Sequence, residues 1–414
     1  MGFEWYTDFV DLSYKPEDEI VCYFKVKSDL PIEESSGRVA SESSVGTWTT
    51  LSRLPDRIKW LMAKVFRIDG ERIAVAYKTD LFEEGNIPQF LSSVAGNIFG
   101  MRAIKGLRFE DFEVPASFAK HFKGPNFGID GVRNIMRVHD RPLTATVPKP
   151  KVGFDADEYA EVGYRSWVGG IDILKDDENL TSQPFIRFEK RLAKVMKARE
   201  RAENETGEKK GYLINITAEA REMERRAELV ADYGNEFVMV DILTAGFSAV
   251  QTVRNKCEEL GLAIHAHRAM HGAFTRNEEH GISLKVLTKL ARMAGVDHMH
   301  VGTGVGKMAG DKAEVMELRD VCRKSWHNFK PVFPVSSGGL HPGLIPDIIE
   351  LFGVDVIIQA GGGVHGHPDG SEKGAMALRQ AISAVLEGVD LEDYAKSHSE
   401  LARALERWGR VSPK

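Results

Sequence analysis

The sequence predicts an α/β chain in two parts. A (β/α)8 TIM barrel with helices at its end occupies residues 126–414, preceded by a smaller α+β domain with a mixed or antiparallel sheet over residues 1–125. Three observations predict this. From about Thr144 onward, short apolar runs alternate with longer amphipathic segments, the rhythm of a parallel sheet. The runs number eight, and the segment that holds them is near the ~250 residues of a closed barrel. Polar, ionisable or glycine residues end nearly every run, as they do where barrel strands open on one face. An open doubly wound sheet is the alternative, but it does not require polar residues at every strand end.

In the first part, residues 20–26 (IVCYFKV), 72–77 (RIAVAY) and 107–114 (LRFEDFEV) alternate in strand fashion. Residues 41–50 (SESSVGTWTT) are a polar, small-residue stretch, and 87–99 read as a helix. Residues 123–133 (KGPNFGIDGVR), punctuated by Gly and Pro, read as the linker.

The eight barrel runs are 144–151 (TATVPKPK), 169–175 (GGIDILK), 211–217 (GYLINIT), 237–243 (FVMVDIL), 262–268 (LAIHAHR), 298–302 (HMHVG), 332–338 (VFPVSSG) and 355–361 (DVIIQAG). Between them, residues 188–205, 218–233, 248–260, 283–294, 342–352 and 374–386 suit helices.

Composition narrows the function. The chain has 414 residues, 43% hydrophobic and 28% charged, the balance of a globular protein rather than a disordered one. Lys+Arg 55 against Asp+Glu 61 leaves a net charge of -6, so no basic field recommends nucleic acid. No apolar run approaches the ~18–20 residues of a membrane helix. The opening MGFEWYTDF has no basic n-region and no apolar h-region, so no secretory signal is expected, and Tyr6 stands where a myristoylation motif wants Ser or Thr. Cys22, Cys257 and Cys322 are too far apart for a disulfide scaffold or a CxxC zinc site. A cytoplasmic protein is expected.

The strand ends carry the chemistry. Lys175, Asp176, Asp177 and Glu178 form a dense group of hard oxygen ligands around one lysine, suited to Mg2+. Alone, such a run is commonly a solvated helix start; among other polar strand ends it reads as a metal site. His265 and His267 share one side of a strand, with Arg268 next and His271 beyond. They suit a metal cluster, a satisfied core, or acid/base work beside a phosphate. Lys149 and Lys151 flank a proline; crowding of like charges lowers a lysine pKa toward proton transfer, and the plainer role is neutralising nearby carboxylates. Gly338-Gly339 and Gly361-Gly362-Gly363 let backbone N–H groups approach an anion. Residues 302–307 (GTGVGK) are not a full nucleotide loop, because Met308 follows the lysine. Two anion-capable regions on one mouth point to a substrate with a phosphate at each end.

These motifs are recognisable. Residues 169–187 (GGIDILKDDENLTSQPFIR) resemble the activation motif of the large chain of ribulose-1,5-bisphosphate carboxylase/oxygenase. TVPKPKVGF, HAHRAMHGAF, HVGTGVGKMAGD, SSGGLHPG, QAGGGVHGHPDG and, earlier, ESSVGTWTT and GNIFGM resemble it too, in order and over almost the whole chain. VPKPK and the HPG after SSGG resemble the archaeal branch, form III.

The resemblance implies residue roles. Lys175 takes up an activating CO2 as a carbamate, which binds Mg2+ with Asp177 and Glu178. Lys149 exchanges protons with the substrate, with Lys151 beside it, and His267 serves proton transfer around C3. Arg268 and His300 hold one phosphate. Lys307 sits at the tip of a closing loop and stabilises the new carboxylate. Ser337, Gly338, Gly339, Gln359, Gly361 and Gly362 line the sugar and the other phosphate. Glu42, Thr47, Trp48 and Asn97 reach the barrel mouth of a neighbouring subunit, so a homodimer or an assembly of dimers is implied. The substrates are ribulose 1,5-bisphosphate with CO2 or O2, and the pathway is AMP salvage.

Departures from plant-type chains bear on closure, on CO2/O2 discrimination and on a small subunit, which is expected to be absent. The stretch from Lys307 to Ser337 is shorter, KMAGD lacks the acidic residue two after the lysine, and the chain stops soon after Trp408. Rival readings are an enolase or isomerase of the same family, which tends to lose phosphate or loop residues kept here, and a non-enzymatic scaffold. An amidohydrolase-type metal enzyme is a third, but it carries HxH on the first strand, whereas HxH here falls on the fifth.

Overall fold

The structure is a computed structural model and describes residues 4–49, 51, 53–305 and 312–411. In chain order the strands are β1 (Glu19–Lys27), β2 (Lys64–Asp69), β3 (Arg72–Lys78), β4 (Gly106–Glu113), β5 (Leu143–Thr146), β6 (Ile173–Lys175) and β7 (Gly211–Asn215). They continue with β8 (Phe237–Asp241), β9 (Ala263–His267), β10 (Gly281–Ile282), β11 (His298–His300), β12 (Phe333–Ser337) and β13 (Ile357–Gln359).

The chain divides into two compact units. The first holds the chain up to Lys123 together with Met270–Ala294 and Trp326–Asn328. Its sheet runs β10-β4-β1-β3-β2. β1 is antiparallel to β3 and β4, and β10 is parallel to β4, so the sheet is mixed. Alternation along β1 buries Cys22, Phe24 and Val26, and Phe24 stacks on Phe109 with ring centroids 5.0 Å apart. The expected strands at 20–26, 72–77 and 107–114 are β1, β3 and β4.

In the second unit, eight strands close into a parallel barrel in the order β11-β12-β13-β5-β6-β7-β8-β9. Closure is made where Ile357 lies opposite Leu143 and Gln359 opposite Ala145, which rules out the open sheet. β7 and β8 are buried at every residue. That is why their runs are nearly continuous in apolar residues instead of alternating.

Two expectations are corrected. The run read as a strand to Lys151 ends at Thr146, because Pro148 and Pro150 remove backbone donors just beyond. The segment read as a linker contains the helix Gly128–Met136. Ile129, Val132 and Met136 pack there on the first inward residues of the strands, Leu143, Ile173, Phe237, Ala263, Phe333 and Ile357. The helix therefore covers the N-terminal end of the barrel, opposite the strand ends that carry the polar residues. Asp297 anchors its start, accepting from Phe127 N at 2.7 Å and Gly128 N at 2.9 Å.

Candidate active site

Lys175 is the last residue of β6 and is fully buried. Its Nζ donates to Asp176 O at 2.8 Å and lies 3.9 Å from Glu178 Oε2. Burial pushes its pKa down, although Glu178, Asp241, Asp177 and Asp176 pull it up. A neutral amine is therefore accessible at lower pH than for an exposed lysine.

The adjacent carboxylates divide in role. Asp176 Oδ1 accepts from Tyr159 Oη and Tyr212 Oη, each at 2.8 Å. Its Oδ2 accepts from Arg191 Nη2 at 3.0 Å and Asn215 N at 2.9 Å. All its bonding capacity is spent inside the wall. Asp177 faces the mouth: Oδ1 accepts from Asn179, and Oδ2 lies 3.2 Å from Lys149 Nζ. Burial raises the Asp177 pKa, but the Asn179 and Lys149 bonds outweigh it and hold the carboxyl below its usual value. Glu178 is half-buried, with Oε2 3.6 Å from His267 Nε2.

Lys149 sits in the loop after β5, and a Cβ added at Gly361 would come within 3.1 Å of its Cε. The loops after β5 and β13 therefore meet where only glycine fits. Lys151 is exposed in the same loop.

On β9, burial and Lys175 lower the His267 pKa, while Asp241 and Glu178 only partly restore it. The ring is thus neutral near pH 7. Its Nδ1 accepts from Ala269 N at 3.2 Å, which places the ring proton on Nε2, toward Glu178. Asp241 Oδ1 is 3.2 Å from the same Nδ1, yet that nitrogen has no proton to give, and the oxygen is buried without a hydrogen-bond partner. Arg268 is only 8% exposed, and burial pushes its guanidinium down to about 10 against the pull of Glu314. A buried guanidinium at this strand end suits an anion.

His300 on β11 lies 2.8 Å from His265 Nε2 through its own Nε2, and its Nδ1 is 2.7 Å from Ser337 Oγ at the end of β12. Gly338 and Gly339 follow at φ +116° and +74°, conformations that favour glycine. Gln359 ends β13 with its Oε1 buried and unpartnered, and Gly361 and Gly362 open the short helix after it. His271 belongs to the first unit and bonds Thr275 Oγ1 at 3.0 Å. Among the described residues no three His, Cys, Asp or Glu side chains are placed to hold a metal ion as they stand.

Glu42, Thr47, Trp48 and Asn97 lie in the first unit. Asn97 Nδ2 donates to Glu42 Oε1 at 3.5 Å, Thr47 O accepts from Trp5 Nε1, and Trp48 is 71% exposed. Lys307 lies outside the described residues.

Two site residues escape a reading of the sequence. Asp241 had a signal, a lone carboxylate within the apolar run FVMVDIL. His365, whose Nε2 is 3.0 Å from Thr146 Oγ1, had none beyond its place after the glycines.

With this geometry in place, comparison with known proteins decides the family. The model of the ribulose bisphosphate carboxylase large chain catalytic domain matches residues 128–408, and that of its N-terminal domain matches residues 8–118. The chain belongs to the ribulose bisphosphate carboxylase large-chain family. A ribulose bisphosphate carboxylase of Pyrococcus abyssi is 57% identical over 100% of this chain and 99% of its own length. The octameric Rubisco of Pyrococcus horikoshii superposes with a TM-score of 0.96 at 56% identity, covering 99% of this chain and 98% of its own. A dimeric archaeal Rubisco of Hyperthermus butylicus gives 0.93 at 54%, covering 98% and 100%. Both domains of the large-chain family are thus present in order.

The donors at the end of β6 fit the Mg2+ that the Rubisco family implies. Two carboxylates, Asp177 and Glu178, follow a buried lysine whose amine is held toward neutrality, and Asp241 offers an orphaned oxygen nearby. Mg2+ is held by one or two carboxylates with water or substrate at its other positions, and a carbamate on Lys175 would add a further protein oxygen.

Proposed function

We propose that the protein is a ribulose-bisphosphate carboxylase/oxygenase, adding CO2 or O2 to the enediol of ribulose 1,5-bisphosphate; with CO2 the product cleaves to two molecules of 3-phosphoglycerate. The observation that carries this is the buried, pKa-depressed Lys175 beside Glu178 and Asp177, in a chain 57% identical to named carboxylases over its full length. Lys175 as a carbamate, Asp177 and Glu178 would hold Mg2+, which when bound supplies positive charge beside the reacting oxygens.

The chain's own residues do the rest. His267, its Nε2 3.6 Å from Glu178, serves proton transfer near C3. Lys149, 3.2 Å from Asp177, passes a proton to or from the sugar at the same edge. Arg268 meets one phosphate in a low-dielectric pocket. The positive-φ glycines after β12 and the glycines after β13 present backbone N–H groups to the other. Lys307 adds a cation where the new carboxylate forms. A cytoplasmic homodimer or assembly of dimers without a small subunit, supplied by AMP breakdown, completes the reading.

The test is incorporation of 14CO2 by purified protein preincubated with CO2 and Mg2+, then given ribulose 1,5-bisphosphate. Labelled 3-phosphoglycerate is expected. Exchange of the C3 proton with solvent and no labelled product would instead favour an enolase or isomerase of the same family.

A further inference from the structure

Two histidines inside the barrel, His265 and His298, have no part in the chemistry above, yet they connect to it. β9 and β11 are neighbours with His265 opposite His298. Their Nδ1 atoms are 3.2 Å apart, His265 Nε2 is 2.8 Å from His300 Nε2, and His300 Nδ1 is 2.7 Å from Ser337 Oγ. The rings meet edge to face, at 80° and 89°. The three imidazoles are buried, and Ser337, at the mouth, is half-exposed.

A neutral imidazole has one N–H and one lone pair. Burial keeps all three rings neutral. Each N···N contact then holds one proton, and the chain has two self-consistent directions. If Ser337 donated inward, the last proton would sit on His298 Nε2. That atom is buried with no hydrogen-bond partner, flanked by the rings of Phe237 and Phe333. An orphaned N–H is among the least tolerated features of a protein interior. The outward direction leaves only a bare lone pair there.

We infer that His298, His265 and His300 form a one-way donor chain. Protons sit on His298 Nδ1, His265 Nε2 and His300 Nδ1, and the chain ends by donating to Ser337 Oγ, so His300 acts on the phosphate that the resemblance implies for it through Ser337 rather than directly. Ser337, already accepting from His300, must turn its own O–H toward the mouth. It presents a donor there, suited to an anionic or carbonyl oxygen of a phosphorylated sugar. His298 and His265 are positioning residues that select this polarity without touching substrate. The ligand assignment rests on the carboxylase reading; the proton positions do not.

Neutron diffraction from deuterium-exchanged crystals of the full chain reads the chain directly. Deuterons on His298 Nδ1, His265 Nε2 and His300 Nδ1 are expected, and one on His298 Nε2 overturns the inference whatever the enzyme catalyses. A double-mutant cycle reads the consequence. His298→Phe, which keeps a ring between Phe237 and Phe333, should raise KM for ribulose 1,5-bisphosphate about tenfold, the effect of one misdirected hydrogen bond. In a Ser337→Ala background the same change should add less than about twofold, because its route is gone. An equal rise in both backgrounds, or none in the first, would show that His298 does not act through Ser337.

Discussion

Asp176 and Asp177 are neighbours of the same type with opposite duties. Asp176→Ala strips the partner from Arg191, which is fully buried, and should destabilise the chain by about 3–5 kcal/mol. Asp177→Asn is nearly isosteric and should leave the unfolding midpoint close to wild type while abolishing carboxylation. Denaturant unfolding and 14CO2 incorporation on both variants check the division; equal loss of stability in the two would refute it. Nothing in KDDE distinguishes the two aspartates, because the distinction is made by Tyr159, Tyr212 and Arg191, which converge only in the fold. Lys175 stands out in the sequence as the one cation of that acidic run, and its part as a carbamate is what the family resemblance implies. A carbamate forms only on the free amine, and burial lowers the Lys175 pKa. The activation rate at fixed dissolved CO2 should therefore rise with pH and level off below 10.5, the ordinary lysine value. A rate still climbing through 10.5 would mean that another group takes up the CO2.

At the scale of the element, periodicity revealed all eight barrel strands, because a buried parallel strand is a continuous apolar run between breakers. It hid elements whose local signals conflict. The helix Gly128–Met136 was masked by Gly and Pro punctuation, yet Gly128 is required there. It sits at φ +65°, and an added Cβ would meet Pro331 O at 2.8 Å and Lys330 Cβ at 2.9 Å. At Gly207, at φ +70° after the helix Phe188–Thr206, an added Cβ would meet nothing within 4 Å. Gly207→Ala should cost about 1 kcal/mol from backbone strain alone. Gly128→Ala should cost roughly 3 kcal/mol, because overpacking adds to the same strain. Comparable losses in thermal unfolding would mean that the barrel end yields to the extra methyl. The helix Ala156–Val168 carries a start signal in its sequence, the capping box of Asp155 and Glu158. β9 and β11 give an acid response. His298 is held at about 3, and His265 and His300 well below 6.5. Between pH 6.5 and those values the unfolded chain binds more protons than the folded one, so stability falls as pH drops below 6.5. Each histidine contributes about 1.4 kcal/mol per pH unit. Melting temperature should fall with acidification less steeply in His298→Phe than in wild type; parallel slopes would contradict this.

At the scale of the molecule, Met270–Ala294 lies within the barrel sequence but joins the first unit, where β10 extends its sheet against β4. Strand-and-helix rhythm carries no mark of that, since a helix with two apolar sides packs wherever tertiary structure offers a partner. Glu42, Thr47, Trp48 and Asn97 raise the same question between chains. They sit on the first unit, with the Trp48 ring 71% exposed, and family resemblance assigns them to the barrel mouth of a neighbouring subunit. If so, a two-fold dimer has two sites, each taking Glu42 from one chain and Lys175 from the other. Glu42→Gln and Lys175→Ala homodimers each spoil both sites. In a mixed dimer one site carries both substitutions and the other carries neither. After complete random exchange, half the dimers are mixed, and about a quarter of wild-type activity per subunit should return. Sites built within a single chain give no rescue at any mixing ratio. Mixed dimers verified by mass spectrometry and still inactive would therefore place Glu42 and Lys175 in the same chain's site, and the requirement for a dimer would go with it.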